Sequence, residues 1–225
     1  MNDSASTEFR KSGASRFPGA FKTQLSDLER IIADIPADEA GVRITGLSEL
    51  KSVLSPEGYL GFIAAKALGP KAKPVRALLF NKTQAANWSL AWHQDRTICV
   101  KERHEIPGFG PWTIKQGILH VGPPFELLER MVTLRAHLDD VPEDNAPLLF
   151  AKGSHLLGKV TVGEVDAAVL HCETATCLAE AGDVWLYSTP ILHASKAAAK
   201  PKQRRVLQID YSVDALPGAL DWLGI

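Results

Sequence analysis

Helical segments come first, short strands bounded by turn signals follow, and strand–helix alternation is absent. Together these features predict a mainly β fold with an α-helical flank, an antiparallel jelly roll.

Residues 1–20 are rich in Ser, Ala and Gly without periodicity and read as a mobile N-terminal tail. Phe21, Leu25, Leu28, Ile31, Ile32 and Ile35 recur at helical spacing, which predicts an amphipathic helix ending before Pro36. A short helix is expected at Ser48–Leu54. Ser55-Pro56-Glu57 has the composition of a helix start, and Gly69-Pro70 of its stop. Residues 21–70 therefore read as helical support. About 75–212 read as the jelly-roll core, which makes 21–225 one domain.

The strand signals begin at Arg76–Thr83, where Arg76, Leu78, Phe80 and Lys82 share one side. Thr97–Val100 is a second run, and Pro107–Pro111 is a loop. In Met131–Leu138, Val132, Leu134, Ala136 and Leu138 make an apolar face. Met131, Thr133, Arg135 and His137 make a mostly polar one, either half exposed or lining a wet pocket inside a barrel. Further strands are expected at Leu148–Phe150, Val184–Tyr187, Ile191–Leu192 and Val206–Ser212, with an inserted helix at Gly163–Leu170.

With 45% hydrophobic and 23% charged residues in 225, the chain can bury a sizeable core. A net charge of -1 gives no electrostatic case for nucleic acid or an anionic membrane. No apolar run is long enough to span a bilayer, and no signal sequence opens the chain. Three cysteines, Cys99, Cys172 and Cys177, are too few for a disulfide framework, so a cytoplasmic location is expected. Nothing in the sequence sets an oligomeric state.

Trp92-His93-Gln94-Asp95 carries an imidazole and a carboxylate two residues apart. Joined by a distal His193, they would form a two-histidine, one-carboxylate facial triad with open metal positions. Such openness suits a metal that binds both a co-substrate and dioxygen. Alone, His-x-Asp occurs readily by chance. Ser195 follows His193, and Arg204-Arg205 open the last strand. An arginine there could fork onto a small dicarboxylate with help from the serine hydroxyl. Strand alternation lets only one of the two arginines point inward.

The segments Ala91–Asp95, Thr133–Asp140, Pro147–His155, Gly182–Trp185 and Ile191–Ser195 with Arg204–Leu207 together resemble the phytanoyl-CoA dioxygenase family of non-haem iron, 2-oxoglutarate-dependent oxygenases. The resemblance implies a double-stranded β-helix, a cupin-like jelly roll, with Fe(II) on His93, Asp95 and His193. It further implies 2-oxoglutarate as co-substrate on Arg204 and Ser195, with O2 as oxidant. The expected reaction is hydroxylation of a small organic substrate, with release of succinate and carbon dioxide. Two departures touch only loops: Lys196–Gln203 replaces a Gly-Pro-Asn type turn, and Ala146 stands where Gly is common.

Trp92, Gln94, Trp112, His120, Thr133, Arg135 and His137 are candidates to line the pocket, with His120 placed on a loop. For each, a purely packing role is equally available. Gly153–Lys159 nearly spells a phosphate-binding loop but has Val160 where Ser or Thr would be needed. His171-Cys172 with Cys177 lacks the spacing of a zinc site. The alternatives to an oxygenase are a catalytically silent jelly-roll metal- or ligand-binding protein and a zinc hydrolase on the same ligands. The second lacks a general-base carboxylate beside the motif.

Overall fold

The computed structural model describes residues 3–36 and 39–225. In chain order, the first half contains α1 (Asp3–Ser12), β1 (Ala14–Phe17), α2 (Leu25–Ile31), β2 (Gly41–Arg43), α3 (Ser48–Leu54), α4 (Gly61–Leu68), β3 (Lys73–Lys82), β4 (Leu90–His93), β5 (Ile98–Cys99), β6 (Trp112–Lys115) and β7 (Ile118–Val121). Then follow α5 (Phe125–Glu129), β8 (Val132–His137), β9 (Leu148–Ala151), α6 (Val165–Leu170), β10 (Thr174–Cys177), β11 (Val184–Ser188), β12 (His193–Ser195) and β13 (Arg204–Ser212).

All paired strands run antiparallel. The major sheet has the order β1-β11-β8-β13-β3-β2, and the minor sheet the order β10-β9-β12-β4. A small sheet, β5-β7-β6, stands beside them. This is the mainly β jelly roll with few helices that the sequence predicts.

Strand alternation divides the major sheet. Leu79, Leu134, Ala136, Leu186, Leu207, Ile209 and Tyr211 are buried against Leu28, Leu50, Leu54, Leu60 and Ile63 of the helical layer. Burying each such side chain contributes about 1.5–3 kcal/mol, so this interface is the main source of stability. The other face carries Arg76, Lys82, Thr133, Arg135, His137, Arg204, Gln208 and Asp210, all buried, and looks toward the minor sheet. The polar side of Met131–Leu138 is thus interior, not half exposed.

Several expectations are corrected. Residues 3–20, read as a tail, form α1 and the edge strand β1, which pairs along β11. Arg16 and the Gly19 amide both bond the buried Asp183 carboxylate, contacts with no local sequence signal. The helix expected over 21–35 shortens to a 3-10 turn followed by α2. Ser55 does not open a helix. It closes α3, and α4 begins only at Gly61. The reason is a tight corner: a Cβ on Gly61 would meet Ser55 O at 1.9 Å and Leu54 O at 2.3 Å. Ile191-Leu192 precedes β12, which starts at His193, and His120 sits in a strand, not a loop. No helix among the described residues is long and apolar enough to cross a membrane.

Gly61→Ala should therefore cost about 1–3 kcal/mol despite alanine's better helix propensity, because backbone atoms must move. Gly163→Ala, where a Cβ meets open space, should be neutral or slightly stabilising. Urea denaturation midpoints of the two variants check the contrast.

Candidate metal centre

The minor sheet brings together two segments a hundred residues apart. β12 lies between β9 and β4, and His193 is the direct cross-strand partner of His93. Their ring centroids are 4.3 Å apart. Asp95 follows just beyond the end of β4. Ligand atoms from His93, Asp95 and His193 all lie within 4.8 Å of one another.

Each imidazole is oriented by its own backbone. His93 Nδ1 lies 2.8 Å from Ala91 O, and His193 Nδ1 2.9 Å from Ile191 O. A carbonyl only accepts, so Nδ1 carries the hydrogen and Nε2 presents its lone pair. Burial drives His193 below its ordinary range, favouring the neutral ring that a metal needs. Burial opposes ionisation of Asp95, but the neighbouring positive groups, Arg76 among them, outweigh it and hold the carboxyl low.

Supporting side chains fix the ligand loops. Gln94 donates from Nε2 to Gly158 O and Pro190 O and accepts from the Val160 amide. It ties the loop between the first two ligands to the chain just ahead of the third. Ser154 Oγ donates to Ala151 O and accepts from the Leu192 amide, next to His193.

Arg76 donates from Nε to Asp210 at 2.6 Å, and its Nη2 lies 3.8 Å from Asp95. Asp210 also accepts from Thr133 Oγ1 at 3.1 Å. This buried row, Thr133–Asp210–Arg76–Asp95, holds the ligand carboxylate. Neither Arg76 nor Asp210 carries a local sign of this role in the sequence. Each is a charge among the inward positions of its strand, and only the register that pairs Arg76 with Asp210 shows that they match.

A cavity of about 90 Å³ opens beside the three residues and is lined by His93, Asp95, His193, Ser195, Lys82, Arg135 and Arg204. Lys82 donates to Trp88 O at 2.6 Å and to Ser195 Oγ at 3.1 Å. Burial, and then Arg204 and Arg135, push it down to about 8. Arg204 donates to Ala146 O, and its Nε is buried without a partner among the described residues. Burial and Arg135 push it down to about 9. Arg135 donates to Gln208 at 2.6 Å, and its Nε is also unpartnered.

Among the described residues, none of these three cations forms a salt bridge. Lys82 and Arg204 are even direct cross-strand partners. Like charges so placed repel, and the arrangement is relieved by an anion between them. Arg205 turns outward to Asp139 and Glu29, both at 2.7 Å. Lys82 was not among the residues picked from the sequence.

A second cavity of about 470 Å³ adjoins His93 and Asp95, with His120 and Gln94 on its wall. Four other pocket candidates line neither cavity. Trp92 packs with Val160, Val165 and Leu192, because alternation turns it away from His93. Trp112 packs in the cluster around Val121 and Leu128. Thr133 is taken up by Asp210 and Thr189. His137 is fully enclosed, with both ring nitrogens unpartnered among the described residues. No carboxylate of the three-residue cluster is left over to act as a hydrolytic base, and Cys99, Cys172 and Cys177 are free thiols.

The phytanoyl-CoA dioxygenase family matches residues 48–206. Comparison with curated protein sequences found no match. Among solved structures, the chain is similar to the non-heme alpha ketoglutarate dependent carbocyclase SnoK from nogalamycin biosynthesis, at 16% identity and TM-score 0.66, covering 94% of this chain and 83% of that one. It is similar to HygX from Streptomyces hygroscopicus, determined with nickel and 2-oxoglutarate bound, at 13% identity and TM-score 0.66, covering 94% and 87%. EctD from S. alaskensis matches at 14% identity and TM-score 0.66, covering 94% and 77%. At these identities the likeness shows the shared jelly-roll fold.

Arg76→Met should cost about 3–5 kcal/mol, since it strands Asp210 as a buried, unpaired charge. Replacing Asp210 by Leu in the same chain should recover most of that loss. Urea denaturation of the single and double variants reads the difference, and a double variant no more stable than the single would refute the pairing.

Proposed function

Because the chain belongs to the phytanoyl-CoA dioxygenase family, we propose that it is an Fe(II)- and 2-oxoglutarate-dependent oxygenase that hydroxylates a small organic substrate. His93, Asp95 and His193 would hold the iron. The supporting observation is the cross-strand pairing of the two histidines beside Asp95, next to a cavity rich in unneutralised cations. Two imidazoles and one carboxylate fit a ferrous ion and leave open positions. Bound there with 2-oxoglutarate and O2, iron supplies oxidative decarboxylation to succinate and carbon dioxide, coupled to oxidation of a substrate C–H bond.

The protein's own side chains then have distinct tasks. Arg204, Lys82 and the Ser195 hydroxyl bind the carboxylate of 2-oxoglutarate far from the metal. A carboxylate accepting from these donors would restore the charge balance that burial disturbs. Arg135 adds a second guanidinium on the same wall. Phe80, Leu90 and Leu148 supply the apolar surface that keeps bulk water from the reacting centre. The backbone carbonyls of Ala91 and Ile191 keep both rings in the ligating tautomer. Free thiols at all three cysteines support a reducing, cytoplasmic setting.

Purified, iron-loaded protein should convert 2-oxoglutarate to succinate, and His93→Ala or Asp95→Ala should reduce this to background. Undiminished succinate formation in either variant would remove that residue from the metal site, and a wild type that binds iron without any turnover would leave a silent binding protein.

Arg204→Ala should raise the half-saturating 2-oxoglutarate concentration about 10–100-fold, as expected for losing a charge-assisted hydrogen bond. Arg205→Ala, outside the barrel, should change it less than about threefold. Titrations of both variants that rank them in the opposite order would assign the co-substrate to Arg205.

A further inference from the structure

The larger cavity differs from the smaller one in how its charge is arranged. It shares His93, Asp95, Phe80, Leu90 and Gln208 with the smaller, so the two meet at the metal ligands. Its volume, about 470 Å³, lies in the range of small-molecule sites. The cations on its wall are Arg43, Arg76, Arg96 and Lys115, and its one carboxylate is Asp95. Arg76 is matched by Asp210 and Asp95. Arg43, Arg96 and Lys115 form no salt bridge among the described residues.

Two residues of this wall each carry a buried side-chain nitrogen with no hydrogen-bond partner among the described residues, Arg43 Nε and His120 Nε2. Neither is oriented by accident. Arg43 Nη1 donates to Gln116 Oε1 at 2.6 Å, and Gln116 Nε2 donates to Gly41 O at 3.1 Å. Gln116 and Gly117 take left-handed φ values of 50 and 74, which tightens the hairpin turn between β6 and β7. The hairpin tip is thereby fastened to β2, with Lys115 beside Arg43 on the cavity wall. His120 Nδ1 lies 2.9 Å from Ile118 O and so carries the ring hydrogen. Burial lowers the pKa of this imidazole and favours the neutral ring, which leaves Nε2 as an acceptor with no partner among the described residues, on a residue that lines the cavity.

We propose that the primary substrate is a small anion whose carboxylate or phosphate is bound by Arg43 with Lys115, and whose neighbouring hydroxyl or amine donates to His120 Nε2. The proposal rests on the oxygenase reading above, because the C–H bond to be oxidised must then lie toward His93 and Asp95. Binding of the anion satisfies the stranded Arg43 Nε. Binding of the donor satisfies the stranded His120 Nε2. A neutral molecule of the same shape would leave the first unpaired, and discrimination of this kind is strong when a buried polar group loses its partner.

The test uses the iron-loaded protein with saturating 2-oxoglutarate and matched pairs of compounds. Small hydroxy acids, amino acids and sugar phosphates are set against their methyl esters, amides and unphosphorylated parents. 2-Oxoglutarate consumption above the uncoupled rate is the readout, with thermal shift as the binding measurement. Stimulation and stabilisation should be confined to the anionic members. For the best anion, Arg43→Gln should raise the half-saturating concentration about 10–100-fold, Arg43→Lys should recover part of that, and Lys115→Gln, at an exposed hairpin position, should raise it less. Circular dichroism of each variant separates binding loss from misfolding, and Lys115→Gln carries the test if Arg43→Gln does not fold. Equal response to neutral members, no response to any anion, or an unchanged half-saturation in the folded variants would each overturn the proposal. Absence of uncoupled 2-oxoglutarate consumption by the wild type would instead overturn the oxygenase reading beneath it.

Discussion

The pairing of β12 with β4 is the constraint on which the site depends. It sets His193 across from His93 and leaves Asp95 two residues past the strand end. A slip of one residue would turn His193 to the other face of the sheet. The register is therefore guarded from several sides. Phe150 pairs with His193 on the far edge, Ser154 bonds the Leu192 amide, and Gln94 joins the ligand loop to Pro190. The Ser154 and Gln94 guards are hydrogen bonds, which fix direction as well as distance. The same backbone that sets the register also sets the chemistry of the rings, since the carbonyls two residues back select the tautomer.

Packing energy and site chemistry are kept on opposite faces of one sheet. The apolar face of β3, β8, β11 and β13 is sealed by the helices, where burial supplies the stability. The inner face can then carry charges that would be costly in any ordinary core. They fall into two groups. Arg76 and Asp210 neutralise each other and act on Asp95. Lys82, Arg135 and Arg204 have no such partners, and the downward shifts of Lys82 and Arg204 register the cost. The first group is structural support for a ligand. The second is a cluster of like charges that a bound anion would relieve.

How much of this was legible in the sequence depended on whether the information was local. Alternation said only that one of Arg204 and Arg205 points inward, and the family resemblance pointed to Arg204; the structure turns Arg205 to Asp139 and Glu29. The apolar face of Val132–Leu138 was equally plain. The polar face of the same strand left two readings open, because alternation cannot say what lies opposite. Lys82 was visible as one of four residues on a strand face, but its role appeared only when β13 brought Arg204 beside it. Ser55-Pro56-Glu57 has every local mark of a helix start. Tertiary contact decided otherwise, since Gly58 and Gly61 let the corner fold tightly onto the end of α3. Edge strands β1 and β2 and the β6–β7 hairpin are three or four residues each, too short for periodicity to declare.

That last group bears most on specificity. Of the proposed metal ligands, His193 lies in the central strand β12 of the minor sheet and His93 closes the strand beside it, while Lys82 and Arg204 face each other across the long strands β3 and β13. The wall of the larger cavity is different. Arg43 comes from the three-residue edge strand β2, and Lys115 from the tip of a hairpin in the small sheet. These pieces add to the barrel without being part of its closure, so they can change without disturbing the ligand register. Their one firm link to each other is Gln116, which bonds both Arg43 and Gly41. On the proposed reading the chemistry and the choice of molecule fall to different pieces: the paired strands β4 and β12 carry the first, and short attached elements with weak sequence signals carry the second.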